Sequence, residues 1–203
     1  MRLTAAVRRA AGAGGLALAV VFALLARSMR PHRRLPVLGV VPRFQLVDQR
    51  GAPFTNESML GHVSVVDFIF THCTSSCPRL TARMGELQTD TAAEAARVHM
   101  VSFSVDPEND TPPVLADYAA RANADPSRWT FVTGPLDDIE RAVVLGFKVS
   151  AAKIARGAQD YEVTHGDWFV LVDGRGELRG YYPTGEAQEY QALLHDVQRL
   201  ERE

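Results

Sequence analysis

A chain of 203 residues, 46% apolar and 23% charged, has the composition of one well-buried globular domain with little length left for a second. Its 22 basic and 24 acidic side chains leave a formal charge of −2, so nothing in the charge balance calls for a nucleic-acid partner. Lys148 and Lys153 are the only lysines, and arginine carries the rest of the positive charge.

The chain opens on an apolar run. Ala10 to Ala26 (AAGAGGLALAVVFALLA) holds 17 residues without a charge, preceded by Arg2, Arg8 and Arg9, and no acidic residue appears before Asp48. A cleaved signal peptide would want a small-x-small site, which Ala26-Arg27-Ser28 supplies poorly. An organellar presequence would be amphipathic rather than continuously apolar. A membrane-spanning helix needs ~17–25 apolar residues, so the run fits an uncleaved anchor at the short end. Residues 1–9 then form a short tail and residues 10–28 the anchor or signal sequence. Arg27, Arg30, Arg33 and Arg34 flank the far side as strongly as the near side, which leaves orientation open by charge. The Arg8-Arg9 pair also permits twin-arginine export.

Residues 29–41, with Pro42 just beyond, are proline-rich without a helical period and read as a linker, followed by a folded domain over 42–203. FQLVDQRGAPFT (Phe44 to Thr55) predicts a hairpin turning at Gly51, and VSVVDFIF (Val63 to Phe70) a central strand buried on both faces. A helix follows Pro78, which suits a first helical turn. RVHMVSFSV (Arg97 to Val105) is a second strand, and PPVLADYAARA a helix opening after Thr111. WTFVTG is a short strand and LDDIERAVVLGF a short helix. GDWFVLVDGRGELRGYY is a hairpin turning at Gly174 and Gly176. EAQEYQALLHDVQRL closes the chain as a helix with Tyr190, Leu193, Leu194 and Val197 on one stripe. The string LVDxxG, at Leu46 and again at Leu171, marks two hairpins with one turn chemistry rather than a repeat architecture. Alternating strands and helices imply an α/β layer fold with parallel pairs.

The two cysteines, Cys73 and Cys77, stand in FTHCTSSCP where the central strand runs into its helix. A structural disulfide closing so short a loop would stabilise by about 2 kcal/mol in the chain-entropy model. Yet strand C-terminal ends are where open α/β sheets collect ligands, and a helix N-terminus lowers thiol pKa. A redox pair is the second reading. Asp67, six residues before Cys73, would have a raised pKa if it faces the interior and could then accept a thiol proton; the plainer account is a hydrogen-bonded aspartate without a role. A metal site is the third. Two thiolates suit Cu(I), an added imidazole allows Cu(II), and a three-residue spacing sets the thiols one helical turn apart. Of six histidines, His32 lies in the linker, and His62, His99 and His195 occupy strand-edge or helix contexts. His72 adjoins Cys73 and is expected to point away from the thiols. His165 precedes the strand WFVLVD, where a thioredoxin-like sheet would return its loop beside the cysteines.

Together these segments resemble the Sco/SenC copper-binding proteins, which are membrane-anchored and thioredoxin-like. FIFTHCTSSCP fits the family's F-T-x-C-x-x-x-C-P through Thr71, Cys73, Cys77 and Pro78. SVDPENDTP (Ser104 to Pro112) fits S-V-D-P-x-x-D-T-P, and RWTFVTG and THGDWFVLVDGRGELRGYY fit later segments, with His165 at the ligand histidine. The likeness covers Phe44 to the C-terminus, and thioredoxins carry an aspartate at the offset of Asp67. Many relatives place an aspartate before the histidine; here Thr164 stands there, and Asp167 follows two residues later. Asp106, Asp110 and Thr111 read as turn and helix-cap residues shaping a loop.

The resemblance implies a thioredoxin-like α/β fold of the peroxiredoxin-like variant, a central mixed sheet flanked by helices, plus the N-terminal transmembrane helix. It implies copper, as Cu(I), Cu(II) or both, held by Cys73, Cys77 and His165. The implied role is that of a metallochaperone rather than a turnover enzyme. It would deliver copper to, or reduce the thiols of, the dinuclear copper site of cytochrome c oxidase. The implied partners are that copper-site subunit, other copper chaperones or thiol reductants, and the membrane. The implied location is the bacterial inner membrane, single-pass, with the soluble domain on the periplasmic side. The alternative is an extracytoplasmic thiol–disulfide oxidoreductase or thiol peroxidase with Cys73 and Cys77 as its redox pair. Oxidoreductases of the thioredoxin type carry a cis-proline facing their cysteines, and no proline lies between Pro135 and Pro183.

Overall fold

The run predicted as a central strand is one: in the computed structural model Val63–Ile69 form β4, and all seven residues are buried. The structure describes residues 34–74, 76–149 and 168–203, and Leu35–Glu203 make up one unit of the chain. The other strands are β1 (Gly39–Val40), β2 (Gln45–Asp48), β3 (Pro53–Thr55), β5 (Val98–Ser104), β6 (Trp129–Thr133), β7 (Trp168–Val172) and β8 (Glu177–Pro183). Among the described residues they form one sheet in the order β1-β8-β7-β4-β5-β6-β2-β3. β4 pairs with β5 and β5 with β6 in parallel; the remaining pairs are antiparallel, so the sheet is mixed.

Alternation along β4 divides the core. Val63, Val65 and Ile69 face a layer made by α1 (Cys77–Asp90), α2 (Pro112–Arg121) and α4 (Ala187–Leu200), through Leu80, Met84, Leu87, Leu115, Leu193 and Val197. Val66 and Phe68 face Phe44, Leu46, Phe54, Ile139 and Phe147 on the other side. A strand covered on both faces has no solvent side for polar residues, which is why its sequence reads as an unbroken apolar run. Tyr190, Leu193 and Val197 of the predicted stripe are buried, and Leu200 continues it.

The repeated LVDxxG string folds twice into the same turn. The Asp48 carboxylate accepts from the Arg50 and Ala52 N–H groups at 2.8 and 2.9 Å, and Asp173 accepts from Arg175 and Glu177 at 2.9 and 3.0 Å. Gly51 and Gly176 follow in the left-handed region, φ 78° and 76°, which favours glycine.

Two features depart from the sequence reading. Within the stretch read as a linker, Gly39–Val40 pair with Leu178 and Glu177 as an edge strand. The segment predicted as one short helix begins as α3 (Leu136–Glu140) and widens into a π turn over Arg141–Gly146. Phe147 N–H donates to the Ala142 carbonyl at 2.9 Å, one residue further back than in an α-helix, and the ring is fully buried. Among the described residues no helix is long and apolar enough to cross a membrane; the run 10–26 lies outside them.

Candidate metal centre

The parallel strands β4 and β5 end side by side, with Ile69 level with Ser104, and the loops that leave them carry the chemistry. The first loop turns at once, Cys73 N–H donating to the Phe70 carbonyl at 3.2 Å. It then enters α1, which opens on Cys77 with Pro78 in its first turn. Cys77 is 2% exposed and Cys73 half-buried, and the two are thiols rather than a disulfide. The Ser76 side chain makes no cap bond. Instead Cys77 N–H donates to the Cys73 sulfur at 3.4 Å, so this sulfur sits where a helix end favours negative charge. The far end of α1 is held by Arg128, whose guanidinium donates to the Gln88 and Thr91 carbonyls at 3.0 Å each.

Asp67 resolves in favour of the interior. It is fully buried, on the β4 face that Val65 and Ile69 share with Cys77. Neither carboxylate oxygen accepts a hydrogen bond of good geometry among the described residues. Burial pushes its carboxyl up to about 7, with the Ser102 hydroxyl beside it opposing. The Ser102 oxygen also accepts the Trp129 indole N–H at 2.9 Å. The helix end does not lower the Cys77 thiol. Burial pushes it up, and the neighbouring Cys73 sulfur adds to that effect. Burial likewise raises Tyr118 to about 12, its hydroxyl sharing a 2.7 Å hydrogen bond with Thr81.

The second loop, after β5, reaches back to the first. Asp110 is fully buried. It accepts from the Thr71 N–H at 3.1 Å, the Thr71 hydroxyl at 2.5 Å and the Ser104 hydroxyl at 2.6 Å. Asp106 accepts from the Asn109 amide at 2.9 Å. The turn chemistry read from SVDPENDTP is present at Asp106, but Asp110 serves the cysteine loop 39 residues upstream, and Thr111 precedes α2 without a side-chain cap bond. Adjacent residue types could not announce that link. His72, exposed, brings a ring nitrogen within 4.8 Å of carboxylate oxygens of Asp106 and Asp110.

The remaining histidines separate. His62 and His99 stack at the opposite end of the sheet, with ring centroids 3.9 Å apart and planes 16° apart. His195 is exposed beside Asp196. The structure thus brings Cys73 and Cys77 together; His165, Thr164, Asp167 and His32 lie outside the described residues.

Comparison with known proteins agrees with this layout. The SCO1/SenC family profile matches residues 36–201. A SCO1/SenC family lipoprotein from Bacillus anthracis is 32% identical, with a TM-score of 0.72 over 83% of this chain and 98% of that one. BsSco, a member of the Sco family of cytochrome c oxidase assembly proteins in which a disulfide switch has been identified, is 34% identical. Its TM-score is 0.72 over 83% and 97% of the two chains. ScoI of Bradyrhizobium japonicum, solved with copper bound, is 26% identical, with a TM-score of 0.67 over 80% and 99%. With its thioredoxin-type sheet and paired thiols at the strand ends, the chain belongs to the SCO1/SenC family.

Proposed function

We propose that this protein is a membrane-tethered copper chaperone that binds one copper ion, its cargo, through Cys73, Cys77 and His165. It passes the ion to the dinuclear copper site of cytochrome c oxidase or keeps that site's thiols reduced. The observation that carries this reading is the pair of thiols at the helix start, with the Cys73 sulfur 3.4 Å from the Cys77 nitrogen. A relative solved with copper and another described as an oxidase assembly protein support reading the pair as copper ligands. His165 enters through the resemblance of THGDWFVLVD to the family's ligand segment. Residues 10–28 serve as anchor or signal sequence, and the domain from Leu35 onward, which includes the edge strand β1, is the copper-binding domain on the periplasmic side of a bacterial inner membrane. That a relative is a lipoprotein supports membrane attachment.

The donor set fits copper. Two sulfurs and an imidazole are soft and borderline ligands, suited to Cu(I) and extendable to Cu(II). Thiols bind metal as thiolates, so loading releases protons, and burial makes the Cys77 proton the harder one for copper to displace. The half-buried Cys73 is the sulfur that an acceptor thiolate reaches first, and exchange proceeds one ligand at a time.

A thiol–disulfide exchange reading also has an observation behind it, since the two thiols are adjacent and not yet joined. In that chemistry Cys73 and Cys77 lose two electrons and two protons to form a disulfide, while an acceptor disulfide gains them as two thiols. Copper titration of the reduced protein separates the readings, followed by thiolate-to-copper charge-transfer absorption. The expected result is one copper per chain, abolished by Cys73→Ala or Cys77→Ala and greatly weakened by His165→Ala. A His165→Ala protein that binds copper as well as the parent removes His165 from the site, and disulfide reductase turnover without copper favours the exchange reading.

A further inference from the structure

We propose that Asp110 is a positioning residue for Cys73: by holding Thr71 it sets the direction in which the Cys73 sulfur is presented. The inference rests on Cys73 being a metal ligand, and it concerns a residue that acts on the loop through Thr71. Asp110 is fully buried and stands on the loop after β5, a different loop from the one it controls. Both of its oxygens act as acceptors. One takes the Thr71 hydroxyl at 2.5 Å, the other the Ser104 hydroxyl at 2.6 Å, and the Thr71 N–H lies 3.3 and 3.1 Å from the two. Thr71 is therefore held by backbone and side chain together.

The grip travels two residues. Thr71 lies inside the tight turn in which Cys73 N–H donates to the Phe70 carbonyl at 3.2 Å. Phe70 packs on both faces of the core, so that end of the turn is fixed. The other end is the Cys73 sulfur itself, placed 3.4 Å from the Cys77 nitrogen. Between Phe70 and the sulfur, Thr71 is the residue that Asp110 holds in place. The Asp110 oxygens are committed chiefly to the cysteine loop and Ser104, although His72 and Asp106 lie near them.

Thr71→Val removes the hydroxyl at constant volume, and Asp110→Asn replaces an acceptor oxygen by an NH2 group that faces donors. Hydrogen bonds to a buried charge are among the stronger ones. In the reduced full-length chain in detergent, both substitutions are expected to lower copper affinity by about tenfold or more and to shift the thiolate-to-copper band. They are also expected to change the rate at which Cys73 is alkylated in the metal-free protein. Thr71→Ser keeps the hydroxyl and restores all three readings. Thr91→Ala, which loosens the far end of α1, lowers the melting temperature without moving the band. If Asp110→Asn and Thr71→Val lose stability but keep the parental band, affinity and alkylation rate, Asp110 is only structural and the proposal falls. Should Asp110→Asn fail to fold, Thr71→Val decides alone. Should the parent bind no copper, the chaperone reading fails, and the Cys73 alkylation rate decides this one: a changed rate supports it and an unchanged rate overturns it.

Discussion

Replacing Asp67 by asparagine should stabilise the metal-free protein above neutral pH and uncover a pH dependence that the parent conceals. The Asp67 carboxyl rises from its ordinary 3.8 to about 7 because burial penalises its charge. A raised folded-state value means that the folded protein binds the proton more tightly than the unfolded chain. Stability is then fully present below pH ~4 and is lost as pH rises through about 7. The difference corresponds to at most about 4 kcal/mol. His99 acts in the opposite sense. Burial, with His62 and Arg128 adding to it, lowers its imidazole from 6.5 to about 4, so its contribution is present above 6.5 and lost as pH falls through about 4. His99 is only half-buried, and solvent screening leaves it about 1–2 kcal/mol. Between pH ~4 and ~6.5 the two slopes oppose each other. The asparagine amide mimics the protonated acid at every pH. The Asp67→Asn protein should therefore gain stability with rising pH across that window and exceed the parent by about 2–4 kcal/mol at pH 8. Urea unfolding of reduced protein at intervals from pH ~4 to ~8.5, followed by fluorescence of the buried Trp129, measures both. Equal stability of the two proteins at pH 8, or parallel pH profiles, would refute the argument.

Further expectations concern how the domain is closed. A Cβ on Gly146 would overlap the Pro42 ring, where the π turn passes the chain leading out of β1, so Gly146→Ala should cost about 1–3 kcal/mol in thermal unfolding. The Arg179 guanidinium is buried, donating to Asp173 at 2.5 Å and to the Leu35 carbonyl at 2.6 Å. Arg179→Ala leaves both acceptors without it and should cost about 3 kcal/mol, with faster proteolysis near Leu35 as the local signature. An unchanged digestion rate would separate the stability loss from any role in fastening the chain's entry to the domain.

Much of this fold is legible because its strongest signals are local. The run at Val63–Ile69, the two LVDxxG turns and the helix after Pro78 each follow from residues within a few positions of one another. β1 escapes because proline-rich sequence without periodicity carries no strand signal, and only its pairing with β8 makes Gly39–Val40 a strand. The π turn escapes for a related reason. Its wider ring is imposed by Gly146 passing against Pro42 and by burial of Phe147, contacts between distant segments that a 3.6-residue period cannot encode. The His62–His99 stack likewise arises only when parallel pairing sets the starts of β4 and β5 side by side.

At the site the division is sharper. The cysteine spacing is readable, but its physical meaning is a helix start. Cys77 occupies the first residue of α1, and Cys73, four positions earlier, accepts the N–H of that first residue, one of the orphan donors of the helix start. The pair is also unequal, with one thiol sealed in the core and the other half-buried, although the motif writes both in the same letter. That inequality comes from the β4 face on which α1 packs, where Cys77 joins Leu80 and Met84 against Val65 and Ile69. Orientation of the outer sulfur then falls to the loop, and the loop is held from the next strand by Asp110. A motif search finds the sulfurs; the carboxylate that aims one of them appears only when β4 and β5 are laid side by side.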